Sequence, residues 1–185
     1  LLEGLLTTIR ISLWTMVPAT LLGVIMGVCR TSKSLFLRLI SRTYVELVRN
    51  LPPLVLIFIV YFFFSDQLMA VLGVDEFIRS RSPETQRVLG ILFAPPEYFS
   101  AFFSALLTMA LYEGAYISEI VRGGIEGMPR GQWEAAFSIG LSGPKTFRLV
   151  ILPQAFRKVA FPLAGQFIST IKDSAIVSVI SIQKL

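Results

Sequence analysis

Long apolar runs alternate with charged intervals along this chain. The first run, Ile11 to Val28, holds eighteen residues without a charge. As a helix it rises ~27 Å, close to the ~30 Å hydrocarbon core of a bilayer, and extension back to Thr7 completes a span. Pro18 predicts a kink within it, Gly23 and Gly27 permit close helix packing, and Trp14 is placed to anchor the outer interface. The second run, Leu47 to Phe64, is interrupted by Pro52 and Pro53 in its first half. Tyr98 to Tyr116 is the third. Val159 to Ile171 begins the fourth, which continues from Ala175 to Ile182 and is expected to bend or break at Pro162 and Gly165. The pattern predicts an all-α integral membrane protein with four spans in one domain, 1–185.

The polar intervals orient it. Arg30, Lys33, Arg38 and Arg42 follow the first run with no acid before Glu46, so the positive-inside rule puts this loop in the cytoplasm and the N-terminus outside. Glu46 and Arg49 are three apart on one helix face and are expected to pair. Residues 65–97 hold five acids against three bases, which places this loop outside the cytoplasm. Gln67 to Val74 and Thr85 to Leu92 are candidate amphipathic helices there. The loop faces any delivery protein or is an insertion without a role, and the sequence leaves both open. Ile117 to Ala155 is the longest charged interval that still looks helical, punctuated by Glu119, Arg122, Glu126, Arg130 and Glu134. Such an interval between spans is where a membrane protein meets a soluble partner. Within it Pro129 suits a first turn, Arg130 to Ile139 a helix, Gly140 a left-handed cap and Ser142 a second N-cap.

Composition agrees. Apolar residues make up 54% and charged residues only 16%, where soluble domains carry about 25% charged. The absence of histidine removes His-based metal sites, Ser-His triads and His pH switches. Cys29 is alone, which leaves no disulfide or thiolate zinc framework. The net charge of +5 comes from dispersed bases flanking apolar runs, and does not indicate a nucleic-acid partner. There is no nucleophile elbow, metal-ligand spacing or paired-carboxylate motif, so an enzyme is not expected. The run GLSGPKT lacks the spacing and the ending of a phosphate loop.

One spacing carries a resemblance. Glu134-Ala135-Ala136, three residues, Gly140, nine residues, Val150, one residue, Leu152-Pro153 resembles the EAA loop of bacterial ABC importer permeases, with Val150 where the family usually has Ile. Residues 114–125, Gly131-Gln132, the stretch YVELVRNLPP with Glu46, Arg49 and Pro52, and QFISTIKDSAIVSVI resemble the polar amino acid branch of that family. The resemblance runs from about Gly4 to Leu185.

It implies a type I ABC importer permease-like helical bundle in the bacterial plasma (inner) membrane. Family members normally have five spans, so the chain is expected to be a fragment lacking the last. The implied partners are an ABC ATPase dimer that binds ATP and Mg, a second permease subunit, identical or homologous, and an extracytoplasmic amino-acid-binding protein. No cofactor is expected on this chain. The loop at 117–155 is implied to be the cytoplasmic coupling loop, with Gly131, Glu134, Ala135, Ala136, Gly140, Leu141, Leu152 and Pro153 as ATPase-coupling residues. For the substrate path the candidates are Glu113, Tyr116, Gln166, Ser169, Lys172 and Asp173. A zwitterion needs a carboxylate for its ammonium, such as Glu113 or Asp173, and donors for its carboxylate, such as Ser169 or Lys172. Glu113 is open to a second reading, in which it snorkels or pairs with a base. Two rival functions use the same residues: an ion-coupled secondary transporter with Glu113 and Asp173 as carriers, and a membrane scaffold that only binds a partner through the loop.

Overall fold

A computed structural model describes residues 2–182. The expectation that a further span follows Leu185 lies outside the described residues. Ten α-helices follow in order: α1 (Leu2–Arg30), α2 (Leu35–Asn50), α3 (Pro53–Ile59), α4 (Asp66–Val71), α5 (Val74–Arg79), α6 (Pro83–Leu92), α7 (Phe99–Glu126), α8 (Arg130–Ser138), α9 (Gly143–Thr146) and α10 (Leu152–Ile182). Two π-helical turns, Val60–Ser65 and Phe147–Ile151, join α3 to α4 and α9 to α10.

Among the described residues three stretches are long and apolar enough to cross a membrane: Thr8–Arg30, Pro53–Val71 and Pro96–Glu126. The fourth expected span lies in α10, which carries Arg157, Lys158, Gln166, Lys172 and Asp173 and does not reach that composition. α10 nevertheless packs along both α1 and α7 as a fourth long helix. It is also unbroken: α10 runs through Pro162 and Gly165, and α1 runs through Pro18, without a break in either helix. Hydrogen bonds either side of a missing N–H hold such helices together.

The second span also starts later than its hydropathy suggests. Residues 35–50 form a separate amphipathic helix, α2, which buries only Ser41, Val45 and Val48. Leu51 and Pro52 are extended, because proline disfavours the helical conformation in the residue before it, and α3 restarts at Pro53. The third span continues far past Tyr116. Residues 117–126 complete α7 and bury Ile117, Val121 and Ile125, so the polar loop begins at Gly127 rather than at Ile117.

α1 and α7 form the central pair. On α1, Ile11, Thr15, Ala19, Gly23 and Gly27 recur every fourth residue and are all buried. The opposite row, Leu13, Val17, Leu21 and Ile25, is at least half exposed. Beyond Ile11, small side chains face protein and large apolar ones face outward, the arrangement expected where lipid rather than water is the solvent. A methyl group added at Gly23 would lie 2.5 Å from Ile117, and one at Gly27 2.8 Å from the Ser118 carbonyl. The helices therefore touch backbone to side chain at these two positions.

Candidate functional site

Two groups of polar side chains stand out, one inside the bundle and one at its end. Inside, the Glu113 side chain is completely buried on α7. Gln166 of α10 donates to its Oε2 at 2.7 Å, while Oε1 has no hydrogen-bond partner. Gln166, Thr170 and Asp173 are spaced i, i+4, i+7 and share one face of α10, and the Thr170 hydroxyl and Asp173 carboxyl approach Glu113 from it. Thr170 donates to the Gln166 carbonyl at 3.0 Å and to Met16 of α1 at 3.5 Å. One turn further, the Ser12 and Ser174 hydroxyls meet at 2.8 Å. These groups line the seam between α1, α7 and α10.

The other substrate-path candidates lie elsewhere. Tyr116 takes a hydrogen bond from Tyr112 at 3.2 Å and lies under the Arg49 guanidinium, 5.4 Å from its ring centre, on the α2 side of α7. Ser169 is half-buried, and Lys172 is exposed on a different face from Asp173. Glu113, Gln166 and Asp173 are thus brought together, and Tyr116, Ser169 and Lys172 are not part of that contact set.

At the Arg30 end of the bundle the expected Glu46–Arg49 pair does not form. Glu46 accepts from Arg42 at 2.6 Å, one helical turn back, and Arg49 instead lies 3.8 Å from Glu119. The i, i+4 geometry within α2 and a carboxylate on α7 both outcompete the i, i+3 neighbour. Glu119 is the hub of this cluster. Arg30 reaches it at 2.5 Å from the end of α1, Arg122 pairs with it along α7, and Arg122 also pairs with Glu126. Sequence spacing marks the Glu119–Arg122–Glu126 ladder, but not Arg30, which is 89 residues away.

Beyond Glu126 the chain turns. The Gly127 carbonyl at the end of α7 accepts from Lys158 of α10 at 2.7 Å, a cation on a helix C-terminus. Pro129 stands at the N-cap of α8, not in its first turn as expected, and α8 ends with Gly140 at φ 82°. The Leu141 N–H bonds the Ala136 carbonyl at 3.1 Å and the Gly140 N–H bonds Phe137 at 2.9 Å, a Schellman closure that a Cβ at residue 140 would strain. Ser142 precedes α9 as its N-cap, without a side-chain capping bond.

α8 has two faces. Ala136 is buried, and Trp133 stacks on Phe147 of the following π turn at 6.5 Å between ring centres. Gln154 of α10 donates to Gln132 at 3.0 Å. Gly131, Glu134, Ala135 and Gly140 are exposed. Leu141 and Leu152 are half-buried and Pro153 is exposed. The two alanines therefore differ: Ala136 seats α8 on the bundle and Ala135 faces away. Phe137 and Ile139, half and three-quarters exposed, extend the free face, although apolar residues at helical spacing in a sequence read as core. No group of side chains suited to hold a metal occurs among the described residues.

The architecture is thus a bundle of membrane-length helices with a short, seated helix projecting from one end. Residues 19–184 match the family described as binding-protein-dependent transport system inner membrane component, and the chain belongs to that family. It is similar to the probable amino-acid ABC transporter permease protein YckA of Bacillus subtilis (strain 168), 33% identical over 100% of this chain and 69% of the relative. It is 32% identical to the glutamate/aspartate import permease protein GltJ of Escherichia coli (strain K12), over 97% of this chain and 67% of that one. The L-cystine transport system permease protein TcyB of B. subtilis is 34% identical over 98% of this chain and 66% of its own length. The chain thus spans about two thirds of these relatives. The solved structure described as an amino acid ABC transporter with histidines superposes with a TM-score of 0.72 at 28% identity, covering 97% of this chain and 71% of that chain. The fold is that of a type I permease. The chain is a multi-pass inner-membrane permease subunit of an ABC transporter, not an enzyme, and works with an ATPase and a binding protein.

Proposed function

We propose that this chain forms part of the translocation path of an amino acid importer and couples to its ATPase through α8. The observation that carries the coupling is the two-faced α8, clamped through Ala136, Trp133 and Gln132, with Glu134, Ala135, Phe137 and Ile139 free. A short helix fixed between Pro129 and the Gly140 cap transmits rigid-body motion without bending. Its free face offers a carboxylate for a basic ATPase residue and two apolar side chains for a groove. The second membrane-length stretch runs on to Val71, so this reading places the α8 end in the cytoplasm, residues 72–97 of the expected 65–97 loop on the outer side, and ATP with Mg on the partner ATPase. The second permease subunit is a copy of this chain or a homologue.

The substrate reading rests on Glu113, Gln166 and Asp173. Carboxylates and an amide along one face of the seam suit the ammonium group of an amino acid once the seam opens. Tyr116, Ser169 and Lys172 belong to the path only if α10 rotates or a second subunit completes it.

The test is ATP hydrolysis by the assembled transporter in nanodiscs, with and without a panel of amino acids on the binding protein. Gly140→Pro removes the N–H that bonds Phe137 and forbids the left-handed φ. The expected result is an assembled complex whose hydrolysis no longer responds to the amino acid that stimulates wild type. Full stimulation in the variant would overturn the coupling role. Glu113→Gln is expected to weaken transport about tenfold, equivalent to ~1.4 kcal/mol; unchanged affinity and rate would remove Glu113 from the path.

A further inference from the structure

The outer connection contains a helix that does not behave as a water-facing loop. α6 buries none of its residues. Val88, Ile91 and Leu92 are spaced i, i+3, i+4 on one face and are 54%, 63% and 48% exposed. Its first turn is polar, with Ser82 accepting from the Thr85 N–H and Glu84 exposed beside it. Gln86 ties that turn to the Arg79 and Arg81 carbonyls at 3.2 and 3.0 Å. One end of α6 is thus polar and the other apolar.

The apolar end is held to α1 at a defined depth. Arg10 donates to the Gly90 carbonyl at 3.4 Å, and the Trp14 indole donates to the Leu92 carbonyl at 3.0 Å. Twenty residues separate Arg10 from the ion-paired Arg30. On a helix that is ~30 Å, the thickness of the hydrocarbon core. If Arg30 marks one boundary, Arg10 marks the other and Trp14 lies ~6 Å inside it. Leu92 therefore stands below the membrane surface. Phe93 follows it, stacked on Trp14 at 4.6 Å and grouped with Phe99 and Phe103 of α7, as in an interfacial aromatic belt. On α1, next to Trp14, Leu13 and Val17 of the outward row are likewise apolar and are 55% and 67% exposed.

From this we infer that α6 enters the outer leaflet obliquely, with its first turn in water and Val88, Ile91 and Leu92 against lipid acyl chains. The occupant of this apolar face is lipid, because the face continues a lipid-facing span at hydrocarbon depth. A soluble protein cannot reach Leu92 at that depth. α6 is then a fixed brace on the outer end of α1, which leaves α5 and the first turn of α6 as the water-facing part of this connection. The inference rests on α1 being a span.

The experiment places a nitroxide at Glu84→Cys, Val88→Cys, Ile91→Cys or Leu21→Cys, each with Cys29→Ala, in the assembled transporter in lipid nanodiscs. Collision with molecular oxygen, which concentrates in the bilayer, is compared with collision with a water-soluble nickel chelate. The oxygen-to-nickel ratio is expected to be several-fold higher at residues 88 and 91 than at 84. Nickel access at residue 91 would mean a water-facing helix, and access by neither probe would mean a protein interface; either overturns the inference. Leu21, exposed at mid-span, separates the two failures. Nickel access there would sink the span itself, whereas oxygen at 21 with either failing result at 91 sinks only the placement of α6.

Discussion

Glu119 shows how one carboxylate holds three elements. Arginines from α1, α2 and its own α7 converge on it, and among the described residues Glu126 alone shares the load. With Glu119 a quarter exposed and Arg30 less so, solvent weakens each pair but does not cancel it. Glu119→Gln removes the charge, keeps the shape, and leaves three guanidiniums repelling one another. The expected cost is about 1–3 kcal/mol, read as a lower unfolding midpoint in detergent, and smaller in high salt. A double-mutant cycle with Arg30→Gln is expected to give a coupling of about 1 kcal/mol. A value near zero would show that the cluster adds no stability. The residue scale is also where sequence reading failed most plainly. Glu46 and Arg49 looked like partners because they are close in sequence, yet each found a better-placed charge, one at i, i+4 and one on α7. Glu113 was visible because a carboxylate inside an apolar run has no cheap alternative. Its bond to Gln166 spans 53 residues, and no local pattern encodes it.

At the scale of elements, the α1–α7 contact depends on glycine. The inward row of α1 ends in Gly23 and Gly27, and α7 answers with Gly114, where a Cβ would come 3.1 Å from Leu22 of α1. Gly27→Val would drive side-chain atoms into Val121 and the Ser118 carbonyl, an overpacking cost of about 1–3 kcal/mol. Gly123 is the matched control, since nothing lies within 4 Å of an added Cβ there. Gly123→Ala is expected to be neutral or to stabilise by up to about 1 kcal/mol through the unfolded chain. Thermal unfolding of both variants in detergent measures the contrast; equal midpoints would mean that α1 and α7 do not need close approach. Helix type and the apolar cores of the first three spans were legible from hydropathy and length alone. Their ends were not. α7 ran on to Glu126 because its polar residues satisfy one another across helices, and α2 detached from the second span because Pro52 and Pro53 stop a helix more firmly than apolar character extends it.

Across the whole molecule, α8 and the buried seam are joined by one continuous route. Trp133 and Gln132 fix α8 to the π turn and to α10, Lys158 of α10 caps α7 at Gly127, and Gln166 further along α10 reaches Glu113. The EAA spacing made the first part of this route legible, because turn, cap and helix are local. The rest depends on α10 packing between α1 and α7, which local spacing does not specify. The route predicts two distinguishable failures. Ile139→Asp puts a charge on the free face, so the ATPase is expected to co-purify poorly. Trp133→Ala leaves that face intact and loosens its seat, costing the stack on Phe147. The ATPase should then still co-purify, while stimulation of hydrolysis by amino acid falls several-fold. Co-purification and stimulated hydrolysis, measured on the same preparations, decide it. If Trp133→Ala lost the ATPase as completely as Ile139→Asp does, α8 would act only as a tether. If both variants kept full stimulation, motion would have to pass by another element. Binding retained with stimulation lost is the outcome that a rigid lever requires, because a lever transmits force only when both its grip and its mounting are firm.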